Sequence, residues 1–419
     1  MRYIQRSLEQ RVREMAGMFK CVLVTGARQT GKSTMLKKLF GDMRYVSFDD
    51  PYIEDQAREN PHMFMSLNRP PVIFDEVQRV PELFRYIKAA CDASDERGMY
   101  ILSGSQPFEL MQGASESLSG RVGIVELAGL SLRELAGDTF RKPFLPAEGY
   151  VSERAHTAKA PDDLWGVIHN GGYPGLYGEK TDWNAYYSSY VKTYLERDVR
   201  SLSAVHDLGD FRRFMTAAAA RTGQVVNYAN IADETGKDQT TIKRWMDILE
   251  ASGVVYLLEP YASSALKRAI KAPKLYFRDT GLAAYLTRWL TSETLATGAM
   301  SGAFFETFVV SEILKSYSNA GVDYRYCVSY YRGKDKVKTT SGDTVSVRES
   351  EIDLVLEEGA ILYPVEIKRN VRAKAEAALA FTVLDKVPDR RRGTGAVICM
   401  CPQPGMLREN IFQLPVWYV

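Results

Sequence analysis

The sequence predicts an α/β protein that opens with a parallel sheet and continues through a helical module into a second α/β unit. Three observations lead to this prediction. Short apolar runs of strand length alternate with helical segments over residues 1–140, the pattern of a parallel sheet. A glycine-containing loop separates the first of these runs from the helix that follows it. Strand-like runs that carry acidic residues return in the last third, after a mainly helical stretch.

The loop has the pattern G-x-x-x-x-G-K-[ST], which is that of a phosphate-binding loop. Its residues are Gly26, Ala27, Arg28, Gln29, Thr30, Gly31, Lys32, Ser33 and Thr34. An apolar strand, Cys21–Thr25, precedes it and a helical run, Met35–Phe40, follows it, so a chance glycine turn is the weaker alternative. Backbone N–H groups of such a loop converge on phosphates at the positive end of the helix. We expect ATP to bind here, with Lys32 at the β- and γ-phosphates and the Ser33 hydroxyl on Mg²⁺.

Four more apolar runs follow at spacings suited to a sheet. They are Tyr45–Phe48, Pro71–Phe74, Met99–Leu102 and Val122–Val125. The second of them ends in Asp75 and Glu76, the Walker B arrangement of an apolar strand that terminates in two acids. We expect Asp75 to hold Mg²⁺ through water and Glu76 to orient and polarise the attacking water. A solvated strand end is the alternative.

Two further residues are candidates for contact with the γ-phosphate. Ser105 follows the strand beside the Walker B strand and is a sensor candidate, although a plain Gly/Ser turn fits equally well. Arg121 stands just before the last strand and is an arginine-finger candidate, in cis or on a neighbouring subunit of a homo-oligomer. An arginine that only decorates a loop is the alternative.

Several segments together resemble the prokaryotic AAA-like P-loop ATPases that carry a C-terminal domain of uncharacterised function. These segments are GARQTGKST, VIFDEVQRVPEL, LSGSQPF, LSGR, GGYP at Gly171–Pro174 and YLERDV at Tyr194–Val199. The resemblance spans nearly the whole chain. It implies a sheet with an extra strand between the two Walker strands and a glutamate-dependent class of NTPase.

The middle segment predicts a helical module and a winged helix. Residues 141–163 are polar and contain three prolines, which indicates a loop or insertion. Helical periodicity returns near Leu164 and over Tyr186–Val199. A short helix at Tyr228–Glu234, a turn, a second helix at Gln239–Ala251 and a strand at Val254–Leu258 are typical of a winged helix-turn-helix.

The second helix of this motif is amphipathic. Its apolar residues Ile242, Trp245, Met246 and Leu249 fall at i, i+3, i+4 and i+7 and predict one buried stripe. Lys243 and Arg244 would face outward with Gln239 and Thr240, suited to DNA phosphates or base edges. Asp238 and Asp247 dilute this positive face, so a rigid interdomain module is the alternative.

The last third places acids and a lysine at strand spacing. Glu366 and Lys368 are two residues apart and share a strand face, and a hairpin would bring Asp353 next to Glu366. Glu306 lies upstream on a helix that can aim a further acid at them. This order resembles the PD-(D/E)xK nuclease superfamily, although Ile352 stands where its proline is expected.

That resemblance implies a metal-dependent phosphodiesterase chemistry. Asp353 and Glu366 would collect Mg²⁺, and Lys368 would orient water or stabilise charge on the scissile phosphate. Glu351 shares a face with Asp353, so the identity of the ligand stays open. Six basic residues nearby would neutralise a nucleic-acid backbone: Lys334, Lys336, Lys338, Arg369, Arg372 and Lys374. An ordinary cross-strand charge cluster is the alternative.

Length and composition fit this division. A chain of 419 residues predicts more than one domain, and we place an ATPase domain at 1–140, the linker, helical and winged-helix module at 141–265 and the nuclease-like domain at 266–419. The net charge of +2 limits nucleic-acid binding to local patches. Five cysteines without C-x-x-C spacing, the absence of a membrane-length apolar run and the lack of a signal peptide predict a cytoplasmic protein. A nucleotide-dependent regulatory switch or DNA-binding regulator with a silent C-terminal domain is the rival function.

Overall fold

The computed structural model describes residues 3–105, 118–178, 181–195, 208–262, 272–338 and 345–419. For residues 194–195, 334–338 and 345–349 it describes the backbone alone. The predicted segment YLERDV and the basic side chains of Lys334, Lys336 and Lys338 therefore lie wholly or partly outside the described part.

The first part of the chain forms a parallel sheet. Its strands are β1 (Cys21–Thr25), β2 (Arg44–Ser47), β3 (Val72–Asp75), β4 (Tyr100–Ser103) and β5 (Val122–Glu126). Among the described residues their order is β2-β3-β4-β1-β5, and every pairing is parallel. Strand β4 lies between β1, which leads into the phosphate loop, and β3, which ends in Asp75. The expected extra strand between the Walker strands is therefore present.

Helices cover both faces of this sheet. They are α1 (Glu9–Met18), α2 (Lys32–Leu39), α3 (Pro51–Glu59), α4 (Pro61–Leu67) and α5 (Leu83–Asp92). One apolar cluster joins Leu23, Phe74 and Leu102 to the α5 side, and another joins Val24, Ile73 and Ile101 to the α1 and α2 side. Successive strand residues thus enter different clusters, because side chains alternate between the faces of a sheet. A parallel sheet buried on both faces explains the almost continuous apolar strands.

Four helices follow in the next segment. They are α6 (Leu132–Leu135), α7 (Glu148–Thr157), α8 (Leu164–Asn170) and α9 (Trp183–Tyr190). The prediction of a loop over 141–163 is wrong at α7. This helix is mostly polar, but Arg154 is 1% exposed and donates to the carbonyl oxygens of Trp417 and Tyr418. Contacts with the distant C-terminus, rather than an apolar stripe, therefore stabilise this helix.

The next elements are α10 (Leu208–Ala219), β6 (Gln224–Val225), α11 (Tyr228–Thr235), α12 (Gln239–Ala251), β7 (Val255–Leu258) and β8 (Lys274–Phe277). The strands form an antiparallel sheet in the order β6-β8-β7 within the described residues. Asn227 and Asp238 cap α11 and α12 with side-chain hydrogen bonds, which sets both helix starts. The predicted stripe of Ile242, Trp245, Met246 and Leu249 is buried as expected.

The last segment begins with three helices, α13 (Thr280–Leu286), α14 (Ser292–Thr297) and α15 (Ser301–Asn319). Strands follow: β9 (Val328–Lys338), β10 (Val345–Glu358), β11 (Ile361–Ile367), β12 (Arg391–Arg392), β13 (Gly395–Cys399), β14 (Gly405–Arg408) and β15 (Ile411–Pro415). In the described part the main order is β14-β15-β13-β11-β10-β9, with β12 beside β11. The pairings of β9, β10 and β11 are antiparallel, whereas β11, β13 and β15 are parallel.

Five 3₁₀-helical segments and one π-helical turn, Val191–Leu195, complete the described chain. The 3₁₀ segments are Val77–Arg79, Pro174–Tyr177, Tyr324–Tyr326, Ala375–Lys386 and Val416–Tyr418. The largest apolar core runs from Leu132 to Val419 and includes residues of both the middle and the last segments. The predicted boundary at 265 is thus crossed by a shared core, and the division into domains stays a prediction. No helix in the described residues is long and apolar enough to cross a membrane.

Candidate functional site

The phosphate loop depends on glycines at two positions. Gly26 and Gly31 have φ of 138° and 93°, values that side chains rarely adopt. A β-carbon at Gly26 would also lie 2.2 Å from the carbonyl oxygen of Leu127, which follows β5. Helix α2 starts immediately after Gly31, so the loop amides lie at its positive end. This is the geometry of an anion site.

Lys32 and Arg6 both contact the loop carbonyls. The Lys32 ammonium is buried and donates to the carbonyl oxygens of Gly26 and Ala27, both at 2.9 Å. Arg6 donates to the carbonyl of Thr30 at 2.7 Å and forms a buried ion pair with Glu134 at 3.1 Å. Arg6 therefore ties the loop to α6. The sequence analysis did not find this residue, because its partners are distant in the chain.

The acids of the Walker B strand lie beside the loop. Asp75 is buried at the end of β3 and accepts hydrogen bonds from the hydroxyls of Tyr45 and Ser103. Tyr45 also interacts with the Ser33 side chain, so one tyrosine connects the two predicted Mg²⁺ ligands. Burial, followed by the hydrogen bond to Asp75, raises the pKa of Tyr45. Hydroxyl and carboxylate oxygens are suitable ligands for Mg²⁺ and its bound water, so the donor set fits this ion.

Glu76 and Ser105 are in direct contact. Ser105 Oγ donates to Glu76 Oε2 at 2.8 Å, and Gln78 Nε2 donates to the same oxygen at 2.5 Å. Glu76 has φ of 56°, which is a strained backbone conformation for a non-glycine residue. Such strain concentrates at functional sites, where surrounding contacts hold it. The carboxylate is thereby fixed beside Asp75 at the end of β3.

Arg121 does not join this group. Cys21 N–H donates to the Arg121 carbonyl at the start of β1, whereas the phosphate loop follows the other end of that strand. At about 3.3 Å per residue, the length of β1 separates the two by roughly 13 Å. The Arg121 guanidinium instead pairs with Asp92 at the end of α5. The prediction of an arginine finger in cis is therefore wrong, and action in trans stays a prediction.

The middle segment contacts the loop from the side opposite the Walker B acids. A β-carbon added at Gly31 would lie 3.6 Å from Pro174 of the GGYP motif, and one added at Gly253 would lie 3.6 Å from Ala27. Arg278, directly after β8, pairs with Glu126 at the end of β5. Ala27, Glu126, Gly253 and Arg278 are among the residues that line a cavity of about 50 Å³ beside the loop. Gly253, just after α12, thus packs on the phosphate loop, whereas the end of β8 contacts β5.

Lys243 and Arg244 lie on the exposed face of α12, as predicted. The Lys243 ammonium lies 5.6 Å from the ring centre of Tyr228 on α11. Asp238 and Asp247 are exposed on the same helix or its cap. The positive face is therefore small and bordered by acids.

The acids of the last segment converge with two lysines. Glu306 extends from α15, Asp353 from β10 and Glu366 from β11. Lys368 Nζ lies 2.5 Å from Glu366 Oε1 and 3.9 Å from Asp353 Oδ2. On the other side, Lys274 of β8 lies 3.6 Å from Asp353 Oδ1. The predicted residues thus lie together, and Lys274 is an addition that sequence analysis missed.

Burial dominates the electrostatics of this acid cluster. It raises the pKa of Glu306 to about 7 and that of Glu366 to about 8, and the charge of Asp353 adds to both shifts. Glu366 is 8% exposed, and its Oε2 has no hydrogen-bond partner among the described residues. In the same residues no group of three or more His, Cys, Asp or Glu side chains is arranged closely enough to hold a metal ion. The oxygen chemistry fits Mg²⁺, but lysine ammoniums lie between the acids.

Comparisons with known proteins agree with the geometry of the first site. Residues 18–136 match a family model described as an AAA domain. Residues 161–293 and 301–419 match two models described as domains of unknown function, DUF8612 and DUF4143. The AAA match, the five parallel strands and the phosphate loop define a P-loop NTPase fold in the N-terminal part. The nuclease resemblance of the C-terminal part has no such support.

The chain is also similar to two mycobacterial proteins described as uncharacterized. The uncharacterized proteins Rv2008c of Mycobacterium tuberculosis and Mb2031c of Mycobacterium bovis are 29% identical to it over 378 residues, which is 86% of this chain and 80% of theirs.

Among solved structures, the Walker-type ATPase PABY2304 of Pyrococcus abyssi overlaps with a TM-score of 0.44 at 14% identity, over 68% of this chain and 96% of that one. A signal transduction ATPase (STAND) protein with a tetratricopeptide repeat sensor, PH0952 of Pyrococcus horikoshii, overlaps with a TM-score of 0.24 at 11% identity, over 76% and 47%. Overlaps at this level do not establish a shared fold.

Proposed function

We propose that this protein hydrolyses ATP with Mg²⁺ at the phosphate loop. The observation that carries the proposal is the convergence of Asp75, Glu76 and Ser105 at the strand ends beside Lys32 and Ser33. Lys32 leaves the loop carbonyls for the β- and γ-phosphates, and Ser33 and Asp75 hold Mg²⁺ and its water. Glu76 accepts the proton of the attacking water, and Ser105 fixes the position of that carboxylate.

Nucleotide affinity tests the first half of this proposal. We expect Lys32→Ala to abolish measurable ATP binding, whereas Lys38→Ala, an exposed lysine on the same helix, leaves it unchanged. Fluorescence titration with a labelled ATP analogue makes the comparison. Equal affinity of Lys32→Ala and the parent protein would remove the loop from its role.

We further propose that nucleotide state is passed to the rest of the chain through α12 and β8. Support comes from Gly253, which follows α12 and packs on Ala27, and from the Arg278–Glu126 pair after β8. Hydrogen exchange should therefore differ at residues 274–277 between nucleotide-free and ATP-bound protein. Unchanged exchange there, with ATP fully bound, would refute the coupling.

The order α10, β6, α11, α12, β7, β8 supports a winged helix, with helix, strand, two helices and two strands in sequence. We propose that its α12 face binds DNA backbone through Lys243 and Arg244. Binding should then weaken with salt and fall when both are changed to Ala. Affinity that is independent of these two residues favours the rival role of a rigid interdomain module.

A second candidate function is metal-dependent phosphodiester cleavage in the last segment. Support comes from Glu306, Asp353 and Glu366 meeting beside Lys368, and from the unpartnered Glu366 Oε2. Asp353 and Glu366 would hold Mg²⁺, which activates water there, and Lys368 would stabilise charge on the phosphate.

Cleavage is tested with plasmid and single-stranded DNA in the presence of ATP and Mg²⁺ or Mn²⁺. We expect products from the parent protein and none from Asp353→Asn or Lys368→Ala. If the parent cuts neither substrate, the C-terminal part is silent and the regulatory-switch function replaces this proposal.

Association into a homo-oligomer is the condition for Arg121 to act in trans. Size measurement by light scattering with Mg²⁺ and ATP tests it. A monomer that hydrolyses ATP at full rate would exclude the trans role.

A further inference from the structure

The ammonium of Lys274 lies among the carboxylates of the acid cluster, where a bound cation would lie. Lys274 is 2% exposed. Its ammonium lies 2.6 Å from Glu351 Oε1, 3.5 Å from Glu306 Oε1 and 3.6 Å from Asp353 Oδ1. Three carboxylates from α15 and β10 thus surround one ammonium from β8.

The remaining contacts leave little freedom to Asp353. Its Oδ2 accepts from the backbone N–H of Ile367 at 2.8 Å and lies 3.9 Å from the Lys368 ammonium, while its Oδ1 faces Lys274. Both carboxylate oxygens therefore already face positive groups or donors. A divalent cation on either oxygen would lie within a few ångströms of an ammonium, where like charges repel strongly.

Neighbouring side chains fix Lys274 in place. The Tyr276 hydroxyl, two residues along β8, donates to Glu306 Oε1 at 2.6 Å. The ring centre of Tyr330 lies 5.5 Å from the Lys274 ammonium. Arg332 lies 4.0 Å from Glu351 on the more exposed side. Lys274 is therefore a fixed member of the cluster rather than a mobile surface charge.

One feature of the cluster still points to a ligand. Glu366 Oε2 is buried, and no group among the described residues donates to it. Buried carboxylate oxygens are normally satisfied by a hydrogen bond or a cation. The cluster therefore has unused capacity for a cation on the Glu366 side.

We propose that Lys274 is the internal counter-cation of this cluster and competes with a divalent cation for Asp353 and Glu306. Loss of the lysine charge then strengthens cation binding at the site. The proposal takes its ligand set from the second candidate function, but it concerns cation binding and not cleavage.

Isothermal titration of full-length protein with Mn²⁺, without nucleotide, tests this competition. All variants carry Asp75→Asn, which removes the carboxylate ligand of the ATPase site. We expect Lys274→Met to bind Mn²⁺ about tenfold or more tightly than its parent, since one nearby positive charge is gone. The gain should disappear when Asp353→Asn is added. Lys274→Arg keeps the charge and should bind as weakly as the parent.

Equal Mn²⁺ affinity of Lys274→Met and its parent would overturn the proposal. Should Lys274→Met fail to fold, Lys274→Gln gives the same comparison. The parent supplies an independent check, because Mn²⁺ binding at micromolar concentration that is lost in Asp353→Asn would show that Lys274 does not weaken cation binding. An affinity gain without DNA cleavage by any variant would reject the cleavage function and retain the counter-cation.

Discussion

Replacement of Glu76 by Gln tests the chemical step at the phosphate loop. The carboxylate oxygen Oε2 accepts from Ser105 at 2.8 Å and from Gln78 at 2.5 Å. A glutamine carbonyl oxygen in the same place can accept both bonds, so the substitution preserves the local structure. What it removes is the ability to take a proton from water. We therefore expect ATP binding to persist while turnover stops.

The expected loss follows from the role of the residue. A positioned general base contributes about 10²–10⁴-fold, which corresponds to about 3–5 kcal/mol of activation free energy. Ser105→Ala removes one hydrogen bond to a charged group, and such a bond contributes roughly 1.5–3 kcal/mol. If only part of this energy acts in the transition state, kcat should fall about tenfold, or by about 1.4 kcal/mol. We thus predict that kcat is lowest for Glu76→Gln, intermediate for Ser105→Ala and highest for the parent protein.

Phosphate release at saturating ATP measures kcat, and titration with a labelled analogue measures affinity. Glu96→Gln is a suitable control, because this exposed acid precedes the start of β4, at the opposite end of the strands from Glu76. Turnover of Glu76→Gln within about threefold of the parent would refute the assignment, since it would leave under 1 kcal/mol for the base.

Three further substitutions test the packing of the middle segment. Gly172→Ala would place a β-carbon 2.7 Å from a backbone carbonyl oxygen, so overpacking should lower both the free energy of unfolding, by about 1–3 kcal/mol, and ATP affinity; Gly149→Ala has open space and should do neither. Arg154→Met leaves a buried carboxylate uncompensated and should cost about 3–5 kcal/mol in urea unfolding, against about 1 kcal/mol or less for the exposed Lys142→Met. Burial lowers the pKa of His169, so unfolding at acid pH takes up a proton, and stability should fall as pH drops below about 6.5. His169→Phe should remove this dependence of stability on pH. Equal losses of stability in Gly172→Ala and Gly149→Ala, equal losses in Arg154→Met and Lys142→Met, or an unchanged pH dependence in His169→Phe would contradict these expectations.

Local patterns in the sequence were sufficient for much of the first site. The phosphate loop, the strand that ends in Asp75 and helices α11 and α12 depend on neighbouring residues, so their positions agree closely with the structure. The stripe from Ile242 to Leu249 is buried for the same reason, since helical spacing fixes its face.

Long-range packing explains what sequence analysis missed. Arg121 precedes a strand, but only the register of β1 and β5 shows that it lies at the start of β1, whereas the loop follows the end of β1. Helix α7 has no apolar stripe and depends on Arg154 contacts with the C-terminus. Lys274 stands in an apolar strand with no local sign that three acids from α15 and β10 will surround it.

We propose that Gly26–Thr34 and Glu76 together form an ATP-hydrolysing site. Steady-state phosphate release by the purified full-length protein, with and without Mg²⁺, tests it most directly when compared with Lys32→Ala. We expect many turnovers per molecule for the parent, none without Mg²⁺ and none for Lys32→Ala. Hydrolysis by Lys32→Ala at the parent rate, or a parent that binds ATP with Mg²⁺ and never releases phosphate, would contradict it.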